Sequence, residues 1–415
     1  MANKNTAKRL RTGLIGEHLS HSYSPEIHAA LGDHNYRLFE LPAENVGDFL
    51  RSREFDALNV TIPYKQDVIP YLDRLSETAM KIGAVNTIVC EADGSLSGYN
   101  TDYDGLSHMI SDLGVSLTGK KVLVLGSGGA SKTAVAVARD MGASRVTVIS
   151  RSGEDNYQNL EKHRDAAILI NTTPVGMYPH NGATPLSLDL FPHLEAVFDL
   201  IYNPLRTALL QDAEARGIPH QNGLLMLVSQ ARRTRELFTG KAIAGEKCKQ
   251  ITDLITRNTE NIILIGMPGC GKSTLGKRLA QELGRPFVDA DEALTLATGR
   301  AIPEIFKSEG EAGFRARESK MLLELCREKG RVIATGGGCV TVAENYKALH
   351  QNGRIVFLDT PPEGLAVDGR PLSLAHSPEA LYRERLPLYQ KFADVTVPIT
   401  RDVEENLKRI KEALK

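Results

Sequence analysis

The chain has 415 residues, of which 42% are apolar and 24% charged, and its formal net charge is −1. That length exceeds one ordinary hydrophobic core and points to two or three domains, and the ordinary composition excludes global disorder. The near-zero charge gives no whole-chain basic field for nucleic acid or an anionic membrane, so any phosphate binding is local. The N-terminal stretch Met1 to Arg11 is polar and basic, unlike a secretory signal, and no run reaches the length of a membrane span. The five cysteines, Cys90, Cys248, Cys270, Cys326 and Cys339, include no CxxC pair, which argues against a zinc site or a disulfide framework. The expected setting is the reducing cytoplasm, with small molecules as partners and neither nucleic acid nor membrane.

Four short strings stand out in the first hundred residues: Ser22–Tyr23–Ser24–Pro25, Asn59–Val60–Thr61–Ile62–Pro63–Tyr64–Lys65, Gly83–Ala84–Val85–Asn86–Thr87 and Gly98–Tyr99–Asn100–Thr101–Asp102. Hydroxyl and amide groups at strand ends suit a polyhydroxylated ligand. The same residue types build turns, and any one string alone reads as a turn.

A βαβ unit follows. Lys121–Leu125 is an apolar strand, Ala134–Met141 is helix-like, and Arg145–Ile149 is strand-like again. The intervening turn, Gly126–Ser127–Gly128–Gly129–Ala130, lets the backbone approach a pyrophosphate and aims a helix N-terminus at it. Glycine turns after strands are common, so the turn alone does not fix a cofactor. NAD-binding folds usually end the next strand with an acidic residue on the ribose 2′-hydroxyl. Here Arg151 stands in that place and suits a 2′-phosphate, which argues NADP over NAD, while Glu154 and Asp155 close behind keep NAD open.

Taken together these strings resemble the shikimate dehydrogenase family from about Gly13 to Gly240. Further matches are Asn171–Thr172–Thr173–Pro174–Val175–Gly176–Met177, Asp199–Leu200–Ile201–Tyr202–Asn203–Pro204, and Gly223–Leu224–Leu225–Met226–Leu227 with Gln230. The resemblance implies that Ser22 and Ser24 hold the substrate carboxylate, and that Thr61, Asn86, Tyr202 and Gln230 bind carboxylate or ring hydroxyls. It makes Lys65 and Asp102 the catalytic pair, with the lysine supplying a proton to the reacting oxygen. It assigns Gly126, Ser127, Gly128, Gly129, Ala130, Arg151, Gly223 and Met226 to NADP(H). Ser150–Arg151–Ser152 stands where the family often has Asn-Arg-Thr, with the arginine kept.

Lys241 to Glu260 is charged, with little apolar patterning, and marks a domain boundary; Ile251, Leu254 and Ile255 fit a short connecting helix. Beyond it Gly266–Met267–Pro268–Gly269–Cys270–Gly271–Lys272–Ser273–Thr274 matches GxxxxGK[ST], directly after the apolar run Ile262–Ile265 and before a helix through Leu283. Such a loop cradles phosphates with backbone N–H groups. Gly269, Gly271 and Thr274 belong to it, Lys272 reaches the β/γ oxygens, and Ser273 ligates Mg²⁺. Phe287–Val288–Asp289–Ala290–Asp291 reads as a strand end whose two carboxylates point the same way, because strand side chains alternate. Phe314–Arg315, Gly336–Gly337–Gly338 after the strand Arg331–Ala334, Arg370–Pro371–Leu372 and Arg385–Leu386–Pro387–Leu388–Tyr389 follow.

This second set resembles shikimate kinase over about residues 261–400. The resemblance implies that Asp289 helps hold Mg²⁺ and that Asp291 binds the substrate hydroxyls and accepts the attacking proton. Arg315 and Arg385 clamp the substrate carboxylate, where a planar fork suits two oxygens. The Gly337 N–H approaches the substrate, where a side chain would obstruct it, and Arg370 belongs to a lid over ATP. The stretch Pro361 to Gly369 is shorter than the family's lid, with no arginine before Arg370.

The expected fold is α/β throughout. A substrate lobe (1–104, with a helix near 225–245) and a Rossmann-type NADP lobe (105–224) precede a linker (246–259) and a P-loop kinase domain with a parallel sheet (260–415). The expected function is reduction of 3-dehydroshikimate by NADPH, followed by phosphorylation of shikimate by ATP. Two alternatives stay open: a C-terminal half that only binds ligand and regulates, motivated by the short lid, and a first half that oxidises quinate with NAD. Cys270, inside the phosphate loop, reads as a packing residue.

Overall fold

The apolar strings of the first hundred residues pair into a six-stranded mixed sheet. The computed structural model describes residues 10–19, 22–365 and 377–415. Strands β1 (Thr12–Gly16), β2 (Arg37–Glu40), β3 (Ala57–Val60), β4 (Arg74–Leu75), β5 (Thr87–Cys90) and β6 (Leu96–Tyr99) run in the order β2-β1-β3-β5-β6-β4. β1 pairs in parallel with β2 and β3, while β5 is antiparallel to β3 and β6. Every residue of β1 and β3 is buried, as expected of strands covered on both faces.

The second sheet is wholly parallel: β7 (Lys121–Leu125), β8 (Arg145–Ile149), β9 (Ile168–Asn171), β10 (Ala196–Asp199) and β11 (His220–Asn222), in the order β11-β10-β9-β7-β8. Strand order reverses at β7, and ligands of open α/β sheets bind beyond the carboxyl end of such a strand. The glycine turn lies there. The helix after it is Gly129–Asp140, beginning five residues earlier than the helical pattern does. Helices Asp102–Asp112 and Leu224–Thr239 pack under this sheet through Leu106, Met109 and Met226. They cross so closely that a Cβ on Gly105 would lie 2.5 Å from the Met226 carbonyl oxygen. The second of these helices also reaches the first sheet, where Phe238 packs with Leu14, Tyr36 and Ala57.

The third sheet is again parallel: β12 (Asn261–Ile265), β13 (Phe287–Asp289), β14 (Val332–Ala334), β15 (Gly353–Asp359) and β16 (Val395–Pro398), in the order β13-β14-β12-β15-β16. The phosphate loop leaves β12, the central strand, into the helix Lys272–Leu283.

The chain divides into two compact units. The first holds both dehydrogenase-like sheets; the second holds Ile255–Lys415 together with Gly176–Ala183 and Asn203–Gln211. The stretch 246–259 is itself the helix Glu246–Thr259, with Cys248, Ile251 and Ile255 buried. The division between units falls inside this helix. Among the described residues no helix is long and apolar enough to cross a membrane.

Candidate active sites

A cavity of ≈ 280 Å³ in the first unit gathers Ser22, Ser24, Thr61, Lys65, Asn86, Asp102, Tyr202 and Gln230, all the catalytic and substrate residues expected there. All but Gln230 come from the ends of elements or the turns beside them. Thr61 and Lys65 follow β3, Asn86 precedes β5, Asp102 opens a helix after β6, and Gln230 comes from the helix Leu224–Thr239. Lys65 is pinned through its backbone, because its carbonyl accepts from the Val85 N–H at 2.7 Å. Its neighbour Tyr64 is buried and donates to the Leu41 carbonyl at 2.5 Å. The Lys65 Nζ stands 2.5 Å from the Asp102 Oδ2, with side chains 22% and 14% exposed, so the pair is mostly desolvated yet reachable from the cavity. Asp102 sits in the first turn of its helix, where the helix dipole favours an anion. The rings of Tyr23 and Tyr202 lie 5.3 Å apart, tilted by 48°, and burial holds both phenols above the usual tyrosine range, so they act only as neutral hydroxyls.

The glycine turn after β7 leaves open space. A Cβ on Gly128 or Gly129 would meet no atom within 4 Å, and Gly128 caps the helix that follows. A helix N-terminus opened by glycines in this way suits a phosphate. Gly126 has φ +107°, and a Cβ there would come within 2.8 Å of the Thr172 hydroxyl. Arg151 is exposed one bridge residue beyond β8. Gly223 is required by its neighbour, since a Cβ would lie 2.1 Å from the Leu200 carbonyl oxygen. Met226 packs into the core beneath the second sheet.

In the second unit a cavity of ≈ 650 Å³ is lined by Gly269, Gly271, Lys272, Ser273, Thr274, Asp289, Asp291, Arg315, Gly337 and Arg385. Gly269 and Gly271 have φ +86° and +87°, the left-handed backbone that lets successive N–H groups turn inward. The Lys272 ammonium folds back over the loop and donates to the carbonyls of Gly266 and Met267 at 2.8 and 2.9 Å. The Ser273 hydroxyl donates to the Asp289 Oδ2 at 2.5 Å. These two oxygens suit a hard cation with few protein ligands. Among the described residues no cluster of three His, Cys, Asp or Glu side chains offers a fuller metal cage.

One expectation is corrected here. Asp289 and Asp291 share the cavity, but not through strand alternation. β13 ends at Asp289, which caps the helix Ala290–Thr298 by accepting from the N–H groups of Asp291 and Glu292, and Asp291 lies in that helix's first turn. Gly337 also lines the cavity, and a Cβ there would lie 2.6 Å from Pro268, so the phosphate loop by itself requires a glycine at this position. Its carbonyl accepts from the Arg385 Nη1 at 3.0 Å and from the Tyr389 hydroxyl. Arg370 lies outside the described residues.

The residue missed from sequence is Glu318. It lies three positions after Arg315 on the helix Ile302–Arg327, and its Oε2 is 2.6 Å from the Arg315 Nη1. Burial raises the Glu318 carboxyl above the usual range, against the pull of Arg315. The i,i+3 spacing behind Arg315 was the available signal. Among the described residues the Nε atoms of Arg315 and Arg385 and the Oε1 of Glu318 are buried without a hydrogen-bond partner. All three belong to residues that line the cavity. Buried polar atoms are normally paired, so these fit an anionic, hydroxylated ligand. A second hollow of ≈ 490 Å³ on the same loop is lined by Gly271, Thr274, Thr360, Thr400, Arg401 and Asn406, among others. Cys326 and Cys339 are fully buried, and burial pushes both thiols up to about 12, as expected of inert packing residues.

Comparison with known proteins gives one answer for each unit. A family model for the shikimate dehydrogenase substrate binding domain matches residues 14–88, and one for shikimate kinase matches residues 268–415. The shikimate dehydrogenase (NADP(+)) of Clostridium beijerinckii is 39% identical over 246 residues, covering 54% of this chain and 90% of the relative. That of Methanosphaera stadtmanae is 37% identical over 272 residues, covering 58% and 95%. Among solved structures, shikimate 5-dehydrogenase from Thermus thermophilus in complex with NADP(H) and shikimate aligns with a TM-score of 0.54 at 34% identity, over 59% of this chain and 99% of that one. A chorismate mutase/shikimate 5-dehydrogenase fusion from Clostridium acetobutylicum aligns with a TM-score of 0.56 at 36% identity, over 59% and 96%.

Proposed function

The chain belongs to the shikimate dehydrogenase family and carries a shikimate kinase domain behind it, and from that premise we propose a bifunctional shikimate-pathway enzyme acting twice on one small acid. NADPH reduces 3-dehydroshikimate to shikimate in the first unit. ATP then converts shikimate to shikimate 3-phosphate in the second. The observation that carries this reading is the pairing of two built cavities. One has the Lys65–Asp102 pair among hydroxyls and amides; the other has a phosphate loop facing Asp291, Arg315 and Arg385.

In the first cavity Ser22 and Ser24 hold the carboxylate, and Thr61, Asn86, Tyr202 and Gln230 hold the ring oxygens. NADPH held in this unit would supply the hydride for the ketone carbon. The Lys65 ammonium gives its proton to the ketone oxygen and opposes the charge developing there, while Asp102 keeps the ammonium aimed. Gly126, Ser127, Gly128, Gly129 and Ala130 receive the pyrophosphate and Arg151 the 2′-phosphate. Gly223 and Met226 are assigned to the cofactor on family resemblance alone.

In the second cavity Arg315 and Arg385 hold the carboxylate, and Asp291 takes the proton of the attacking hydroxyl. Gly269, Gly271 and Thr274 cradle the phosphates. Lys272 leaves its two loop carbonyls to meet the β/γ oxygens. Ser273 and Asp289 would hold Mg²⁺, which supplies charge neutralisation at the transferring phosphate when bound. The hollow beside the loop has room for the nucleoside.

The test is to incubate the full-length protein with 3-dehydroshikimate, NADPH and MgATP and follow products by mass, omitting each cofactor in turn. The expected result is shikimate 3-phosphate with both cofactors and shikimate without ATP. Shikimate persisting in the presence of MgATP would overturn the kinase half. No loss of 3-dehydroshikimate would overturn the dehydrogenase half.

A further inference from the structure

We infer that Thr234 is a positioning residue of the dehydrogenase site, whose hydroxyl decides where Thr101 directs its proton and so holds Gln230 and Asp102 in register; this deepens the function proposed above and rests on it.

Thr234 lies on the helix Leu224–Thr239, four residues after Gln230, and is completely buried. Its Oγ1 is 3.0 Å from the Thr87 Oγ1, 3.1 Å from the Thr101 Oγ1 and 3.1 Å from the Asn59 Nδ2. One hydroxyl on a helix therefore meets side chains from β3, from β5 and from the residue before Asp102.

The backbone fixes the directions of the surrounding amides. The Asn59 Nδ2 donates to the Asn86 carbonyl at 3.2 Å, so its amide face toward Thr234 is a donor. The Asn86 Oδ1 accepts the Thr101 N–H at 2.7 Å. The Gln230 Nε2 donates to the Leu227 carbonyl at 2.9 Å, which leaves its Oε1 facing the Thr101 hydroxyl at 3.3 Å.

A threonine hydroxyl has one proton and two acceptor positions. The Thr101 proton has four acceptors within reach: the Asn86 Oδ1 at 3.2 Å, the Gln230 Oε1 at 3.3 Å and the hydroxyls of Thr87 at 3.2 Å and Thr234 at 3.1 Å. The Asn86 Oδ1 is already served by the Thr101 N–H and by the Thr87 hydroxyl at 3.1 Å. Thr234, accepting from Asn59, has the Thr87 oxygen at 3.0 Å and the Thr101 oxygen at 3.1 Å for its own proton; Thr87 already accepts from the Asn59 Nδ2 at 3.2 Å, and in the inferred arrangement the Thr234 proton goes to Thr101. The Thr101 proton then goes to Gln230, and the chain of donors runs in one direction with each bond polarising the next. Thr101 stands at the N-cap of the helix that Asp102 opens, yet makes no side-chain cap bond. Its hydroxyl is committed to this cluster, so the same clasp that sets Gln230 sets the start of the Asp102 helix.

The experiment uses the full-length protein with Thr234→Val, which keeps shape and removes the hydroxyl, and Thr234→Ser, which keeps the hydroxyl. Thr234→Ala serves as a second hydroxyl-free variant should the valine not fold. The hydroxyl-free variant is expected to raise KM for 3-dehydroshikimate about tenfold with kcat within about threefold, since one buried hydrogen bond is lost. KM for NADPH and the kinase activity stay unchanged, and Thr234→Ser lies within about twofold of wild type. A wild-type KM in both hydroxyl-free variants overturns the proposal, as does a serine variant as impaired as they are, because that makes the role one of packing. Failure of the wild type itself to turn over 3-dehydroshikimate overturns the functional reading and this proposal with it.

Discussion

Gly338 lies directly against the Arg315 guanidinium: a Cβ on the glycine would stand 2.0 Å from Nη2 and 2.4 Å from Cζ. Its neighbour Gly336 stands in the same relation to Glu318 and Asp291, whose oxygens would lie 2.4 and 2.9 Å from an added Cβ. The run of three glycines after β14 is therefore a floor on which Arg315, its carboxylate partner Glu318 and the proposed base Asp291 all rest. Gly338→Ala displaces Arg315 by more than its paired geometry with Glu318 tolerates. The expected outcome is a loss of kinase kcat/KM on the order of 100-fold, the scale of a displacement of about 1 Å, with dehydrogenase turnover intact. Steady-state kinetics of both reactions on the same preparation decide it.

In the proposed mechanism the Lys65–Asp102 pair separates proton supply from substrate binding. Lys65→Met removes the proton donor but keeps much of the side chain's length. The kcat of reduction should fall by roughly 10²–10⁴, with KM for 3-dehydroshikimate changed far less. A fall in affinity with kcat preserved would assign Lys65 to binding instead.

Arg151 is exposed beyond β8, where the 2′-phosphate is expected. Arg151→Ala should raise KM for NADPH by about 10- to 100-fold, the worth of a charge-assisted hydrogen bond, and leave KM for NADH nearly as it was. An unchanged ratio between the two cofactors would remove Arg151 from the cofactor site.

His28 is fully buried against Tyr36, ring on ring at 3.8 Å. Burial, assisted by the nearby Arg235 cation, lowers its imidazole pKa to about 3. Above the ordinary histidine pKa of about 6.5 the ring is neutral in both folded and unfolded chains and contributes no pH dependence. Below it the unfolded chain takes up a proton that the folded chain refuses. Stability of the first unit should therefore fall as pH drops from about 6.5 toward 3, by up to about 1.4 kcal/mol per pH unit. His28→Phe keeps the stack and should remove one proton's share of that slope. Urea unfolding followed between pH 4 and pH 7 measures it, and an unaltered slope in the variant would show that His28 is not its source.

What the sequence determined by itself is what local chemistry encodes. β7 and β8 occupy the residues read from their apolar runs, the helix after the phosphate loop ends at Leu283 as expected, and GxxxxGK[ST] folds as its glycines require. These features depend on neighbours within a few positions, where side-chain period and allowed φ settle the outcome. The gathering of Ser22, Thr61, Lys65, Asn86, Asp102 and Gln230 was legible only as a family pattern, since nothing local says that a helix two hundred residues on returns to the first sheet. Tertiary structure alone decided the rest. Asp289 and Asp291 meet through a helix cap and not a strand, and Met226 is a core residue. Glu318 backs Arg315, and the glycine run is set by its clearance from Arg315, Glu318 and Pro268. Each of these is a matter of a proton's direction or of an ångström of room between residues far apart in the chain. That information does not exist until the chain has closed on itself.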